Sequence, residues 1–144
     1  MRKILSKYED ITNKGQDVIL LLLRLILAYG FWEPAKNKWA DINAIAEWFA
    51  GMGMPLPKLN AYLAATTEMA GVFLLTLGLA TRIISLPLII TMIVAIKTVH
   101  WENGFPSSDN GYEIPLYYIL MLLVLMTFGA GRISVDFLIK KFVK

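Results

Sequence analysis

The chain has 144 residues, 57% of them hydrophobic and 17% charged, with a formal net charge of +3 and a mean hydropathy of +0.58, a composition outside ordinary globular usage. The absence of cysteine excludes disulfides, thiolate zinc sites, cysteine-ligated iron–sulfur clusters and a cysteine nucleophile, and the single histidine excludes bis-histidine haem ligation within one chain. Nothing in the charge pattern suggests a nucleic-acid partner; the basic residues matter through their positions, because those beside apolar helices orient them in a bilayer.

Residues 1–17 place Ile4, Tyr8 and Ile11 at helical spacing with Lys3, Lys7 and Lys14 between them, the pattern of a short helix lying on a membrane. No small-residue cleavage site separates this stretch from the apolar run that follows, so the first span is expected to remain uncleaved. Four apolar segments come next, at about 18–39, 59–80, 83–100 and 112–130, each near the ~20 residues that cross hydrocarbon. A soluble fold of this size could not shield four helices that are apolar almost all round, whereas lipid solvates them directly. The expectation is an all-α integral membrane four-helix bundle, a single domain over residues 1–144, with short interfacial amphipathic helices.

Arg2, Lys3, Lys7 and Lys14 precede the first segment, Arg82 lies in the short second connection, and Arg132, Lys140, Lys141 and Lys144 follow the fourth. By the positive-inside rule these parts, and both termini, are cytoplasmic. Trp32, Trp39, Trp48 and Trp101 all fall toward the opposite side, which suggests an elaborated outer surface. There, 41–52 has apolar residues at helical spacing and Gly53 as a stop, reading as an interfacial helix. Met54-Pro55-Leu56-Pro57 should form a stiff extended link. The second segment carries a seam of Ala61, Ala64, Ala65, Glu68, Gly71 and Gly78 that would let helices approach closely and turns Glu68 inward. Ser134 is placed to cap a last helix, amphipathic and bound to the surface.

The ionisable residues beside these segments are the candidate site. Arg24 lies roughly 9 Å inside one boundary and Glu68 roughly 12 Å inside the other, which allows either a structural Arg24–Glu68 ion pair or a Glu68 that accepts protons or contacts a ligand. Lys97 and His100 share a helix face, with Glu113 at similar depth across a turn-rich loop that includes Ser107–Gly111. This trio fits a proton-handling or polar-headgroup site; equally, Lys97 snorkels, Trp101 anchors and His100 caps its helix. The ligand-binding set is therefore Glu68, Lys97, His100 and Glu113. Met52, Met54, Met69 and Met92 are unclustered and read as gap-filling side chains rather than copper ligands. No metal site, catalytic triad or nucleotide fingerprint is present in the sequence.

From about residue 22 to 136 the chain resembles the DoxX family of small four-helix membrane proteins. The motifs that carry the likeness are Glu68-Met-Ala-Gly71, Gly78-Leu-Ala-Thr81-Arg82, Met92-x-x-Ala95 with His100 beyond it, Gly104-Phe105, Gly111-Tyr-Glu113, and Gly129-Ala-Gly131-Arg-Ile-Ser134-Val-Asp136. The first-span Gly-x-x-Lys pattern is altered, with Ala35 at the small position before Lys38. The resemblance implies a bacterial or archaeal cytoplasmic membrane protein associated with a redox or maturation partner, and oligomerisation is compatible with it. It implies a subunit of a quinone-linked oxidoreductase rather than a complete enzyme. Quinone would be the ligand and no cofactor intrinsic, so electrons would come from the partner. A small-ligand binding or transport module and a structural assembly factor remain the alternatives.

Overall fold

The computed structural model describes residues 2–143, with side chains described for Thr12 and from Gly15 onward. Six α-helices and no strand occur among the described residues: α1 (Arg2–Ala40), α2 (Ile42–Gly51), α3 (Pro57–Leu77), α4 (Thr81–Ala95), α5 (Glu113–Phe128) and α6 (Val135–Phe142). The backbone of α1 is one unbroken helix, so the separate surface helix expected at 1–17 is instead continuous with the first apolar run. The faces of Ile4, Tyr8 and Ile11 lie outside the described residues.

Local chemistry explains the helix ends. Asp41 accepts the Ala44 N–H at 3.0 Å and starts α2, and Ser134 Oγ accepts the Phe137 N–H at 3.2 Å and starts α6, each satisfying a donor that the first helical turn leaves free. The 54–57 link is not extended throughout. Leu56 takes a left-handed conformation (φ 46°) directly before Pro57 opens α3. Proline disfavours the right-handed helix at the preceding residue, and Asn60 fixes the turn by donating its side-chain amide to the Pro55 carbonyl. Gly78 ends α3 at φ 66° with the Arg24 guanidinium against it, so any Cβ there would collide.

Helix α1 packs on α3 and α5, and α4 packs on α3 and α5, so the four long helices surround one core. Leu27, Phe31, Leu75, Leu88, Leu122 and Leu125 are its most completely buried large side chains. Gly71 lets the Leu88 side chain lie directly against α3, as small residues at helix interfaces do. The stretches Gly15–Ala40 and Thr81–Asn103 are long and apolar enough to cross a membrane, yet only 33% and 28% of their most apolar windows are buried inside the protein. A core helix of a soluble domain would hide most of such a window. Here Ile19, Ile26, Ile83, Leu86 and Ile90 stand more than half exposed, as they can where hydrocarbon is the solvent.

Two features interrupt the helical ladders. Pro34 within α1 and Pro87 within α4 lack the N–H that would bond the carbonyl four residues back. Beyond α4 the chain continues as a π turn over Ile96–His100 and a 3-10 turn over Trp101–Asn103. Pro34, Pro87 and His100 all border the same cavity.

Candidate functional site

A cavity of about 610 Å³ lies among α1, α3, α4 and α5, with α2 and the Ser107–Gly111 loop at one end. Its wall is mostly apolar, and the ionisable side chains in it are Lys38, Glu68, His100 and Tyr118. Such a volume and balance fit a small organic ligand held by a few oriented polar groups.

Glu68 is buried (3% exposed). Its partner is Lys38, whose Nζ donates to Glu68 Oε2 at 2.8 Å and to Oε1 at 3.1 Å. The expected Arg24–Glu68 ion pair does not form. Arg24 points to the other end of the fold and donates to the backbone carbonyls of Leu75 and Ile133, with Asp136 as the acidic group acting on it. Leu75 lies two helical turns from Glu68, ~10 Å along α3, so one guanidinium cannot serve both places. Asp136 in turn accepts the Ala80 and Thr81 N–H groups at 2.8 and 3.1 Å, capping α4. Arg24 thus ties α1 and α3 to the segment that leads into α6.

Lys38 was not among the site residues expected from sequence, although the signal was there. Arg24, Leu27, Phe31, Ala35 and Lys38 recur at three- and four-residue steps, and the first four are buried. Lys38 is the next residue on that inward face. Ala35 is fully buried, which is what a small residue one turn before the pairing lysine permits.

The trio Lys97, His100 and Glu113 is divided. His100 lines the cavity, whereas Lys97 and Glu113 do not. Lys97 is exposed, and Glu113 turns to the loop, accepting the Ser107 N–H at 2.9 Å and the Tyr117 hydroxyl at 3.1 Å. The widened π turn breaks the 3.6-residue spacing that would have put Lys97 on the His100 face. Trp101 stacks on Tyr112 at 5.5 Å. His100 Nδ1 lies 2.8 Å from the Asn110 carbonyl oxygen. A carbonyl only accepts, so Nδ1 carries the proton, and in the neutral ring Nε2 is left as an acceptor.

Tyr118 closes the cavity on the α1–α5 side. Its ring meets Phe31 edge-on at 5.3 Å, and its hydroxyl occupies the space beside Gly30 that a side chain would fill. No group of three or more His, Cys, Asp or Glu side chains arranged to hold a metal ion occurs among the described residues.

The DoxX family model matches residues 19–101, more than half of the chain. The chain belongs to the DoxX family. The match runs from the first apolar helix through α3 and α4 and includes Lys38, Glu68 and His100. Among relatives of this DoxX-family membrane protein, an uncharacterized protein of Haemophilus influenzae is 40% identical over 135 residues, covering 88% of this chain and 87% of its own. A Bacillus subtilis protein named "Putative oxidoreductase CatD" is 36% identical over 124 residues, covering 86% and 89%. A second uncharacterized H. influenzae protein is 29% identical over 128 residues, covering 86% and 92%. No solved structure matches.

Proposed function

We propose that this DoxX protein is a multi-pass subunit of a bacterial or archaeal cytoplasmic membrane, a four-helix bundle with both termini cytoplasmic, that holds a quinone-class ligand for a partner oxidoreductase. The observation that carries the reading is the mostly apolar cavity whose wall holds the Lys38–Glu68 pair and His100. Charges at membrane depth are expensive and are kept where they line a cavity or act on a ligand. The name of the B. subtilis relative supports a redox setting.

The residues fit such a ligand. Lys38 has three N–H donors and gives two to Glu68, leaving one to donate to a quinone carbonyl. With its proton on Nδ1, His100 offers Nε2 to accept the O–H of the reduced, quinol form. Glu68 holds the lysine in place and balances its charge in a medium of low dielectric. Bound quinone would supply the two-electron chemistry; the chain supplies orientation, an apolar enclosure and a proton acceptor at Nε2.

The test is a titration of the purified protein in lipid nanodiscs with menaquinone and ubiquinone analogues, read by tryptophan quenching, since Trp48 borders the cavity. Saturable binding is expected, weakened at least tenfold in His100→Ala and in Glu68→Gln, as the loss of a hydrogen bond to a polar or charged group implies. Absence of saturation in the wild-type protein, or equal affinity in all three, refutes it. Quinone-independent uptake by sealed vesicles would favour a transport module instead, and partner association lost without any ligand effect would favour an assembly factor.

A further inference from the structure

The faces of α3 and α4 that look at one another are built differently along their length. Toward the Gly78 end, Gly71 brings the Leu88 side chain against α3. Toward the other end, Leu63 on α3 and Ile90 and Val94 on α4 border the cavity yet remain 55%, 54% and 41% exposed. Side chains that both line a cavity and face outward mark an opening in its wall; Trp48 on α2 and Ile114 on α5, 48% and 49% exposed, mark another at the loop end, and the α3–α4 opening is the one set deeper along the helices. Ile90 is ten residues before His100, ~15 Å along a helix, so the opening lies at hydrocarbon depth if the bundle spans a bilayer.

The opening is chemically suited to a hydrocarbon chain. Thr91 and Thr98 border it, but their hydroxyls are engaged by the carbonyls of Pro87 and Val94 at 3.0 and 2.8 Å. A threonine so bonded has already satisfied its polar group on its own helix. On the opposite side of the cavity, Tyr118 packed on Phe31 and over Gly30 fills the gap between α1 and α5. The edge formed by Leu63, Ile90 and Val94 thus offers a mostly apolar approach, with Thr67 its polar side chain on α3, to the cavity that Lys38, Glu68 and His100 line.

We propose that the cavity is entered from the bilayer through a portal between α3 and α4, edged by Leu63, Ile90 and Val94, and that it takes a membrane-dissolved ligand whose polar head sits at Lys38, Glu68 and His100 while its hydrocarbon tail lies in the portal. This rests on the quinone reading for the nature of the head, but the portal itself is tested separately. A ligand of this class partitions into the membrane before it binds, so its effective concentration is set by the lipid phase.

Two measurements test it on the full chain in nanodiscs. First, a phospholipid carrying a diazirine on its acyl chain is photolysed, and the labelled residues are mapped. The portal predicts labels on Thr67 and Thr91, which border the cavity, in addition to outward residues such as Phe73 and Leu86; labels confined to the outward residues overturn it. Second, Val94→Trp places bulk at the exposed rim without entering the core, with Leu120→Trp on an outward face as control. The portal predicts that Val94→Trp weakens a decyl-tailed quinone at least tenfold and leaves a tail-less head-group analogue unchanged, while Leu120→Trp affects neither. Equal loss for both analogues, or no loss for either, overturns it. If Thr67 and Thr91 are labelled but the wild-type protein binds no quinone, the portal stands and the quinone reading falls.

Discussion

Lys38 Nζ lies 2.8 Å from Glu68 Oε2 and joins α1 to α3 inside the cavity wall, with only 17% and 4% of the two side chains exposed. Removing one partner of a buried pair leaves an uncompensated charge, whereas removing both leaves apolar surface in apolar surroundings. Lys38→Met and Glu68→Met are each expected to lower stability by about 3 kcal/mol. The double variant Lys38→Met/Glu68→Met should recover most of that loss. Thermal unfolding in detergent across the four proteins checks it, and a double variant whose loss equals the sum of the singles would show the two sites to be uncoupled.

Arg24 binds two carbonyls on different elements, Leu75 on α3 and Ile133 before α6. A lysine in its place has one nitrogen and lacks the planar fork needed to serve both. Arg24→Lys should therefore cost about 1–3 kcal/mol, the range for a buried acceptor left unpaired. The Asp136 amide, which donates to the Gly78 carbonyl at 3.0 Å, should exchange its hydrogen faster as that segment loosens. Unchanged exchange there would remove Arg24 from the role of clamp.

Much of this fold was legible because its punctuation is local. Gly53 and Ser134 mark helix ends by the backbone angle and the hydrogen bond they favour, wherever the helices are later packed. The partner of Glu68 was harder to read. Depth along a helix can be counted only roughly, and it placed Arg24 and Glu68 within reach; Arg24 and Lys38 share one inward face of α1, and Glu68 pairs with the one at its own level, ~21 Å along the helix from the other. Counting from Arg24 by threes and fours leads to Lys38. Lys97 shares a face with His100 only on a regular α-helix, and Glu113 joins them only by depth across the loop; the π turn at Ile96–His100 and the loop contacts of Glu113 turn both away. A lateral opening between α3 and α4 has no sequence signature, since it depends on two helices meeting at Gly71 and parting at Leu63.

Gly111 sits where a Cβ would run into the carbonyl oxygens of Gly104, Phe105 and Pro106. Those are backbone atoms that cannot rotate aside. The loop they form is closed by Gly111 N–H on Pro106, Tyr112 N–H on Gly104 and Glu113 N–H on Phe105. Gly111→Ala should cost about 1–3 kcal/mol as an overpacked site. It should also weaken ligand binding, because Asn110, which positions His100, is the neighbouring residue. A melting temperature within error of the wild type would contradict this reading of the loop.

The Asn110 carbonyl fixes the proton of His100 on Nδ1. Nitrogen-15 NMR of protein labelled at histidine should find the neutral ring as the Nδ1–H tautomer, and this chain's only histidine gives a single pair of signals to assign. The Nε2–H tautomer would mean that the acceptor offered to the cavity is absent.

The central claim is that Lys38 and its cavity engage the ligand's polar head, and the vibrational spectrum of a quinone labelled with carbon-13 at its carbonyls reads that contact directly. In nanodiscs containing the wild-type protein, one carbonyl band should shift to lower frequency than in protein-free nanodiscs, the mark of a hydrogen bond to a charged donor. The shift should vanish in Lys38→Met/Glu68→Met. Carbonyl bands identical with and without protein, or a shift that survives the double substitution, would contradict the account.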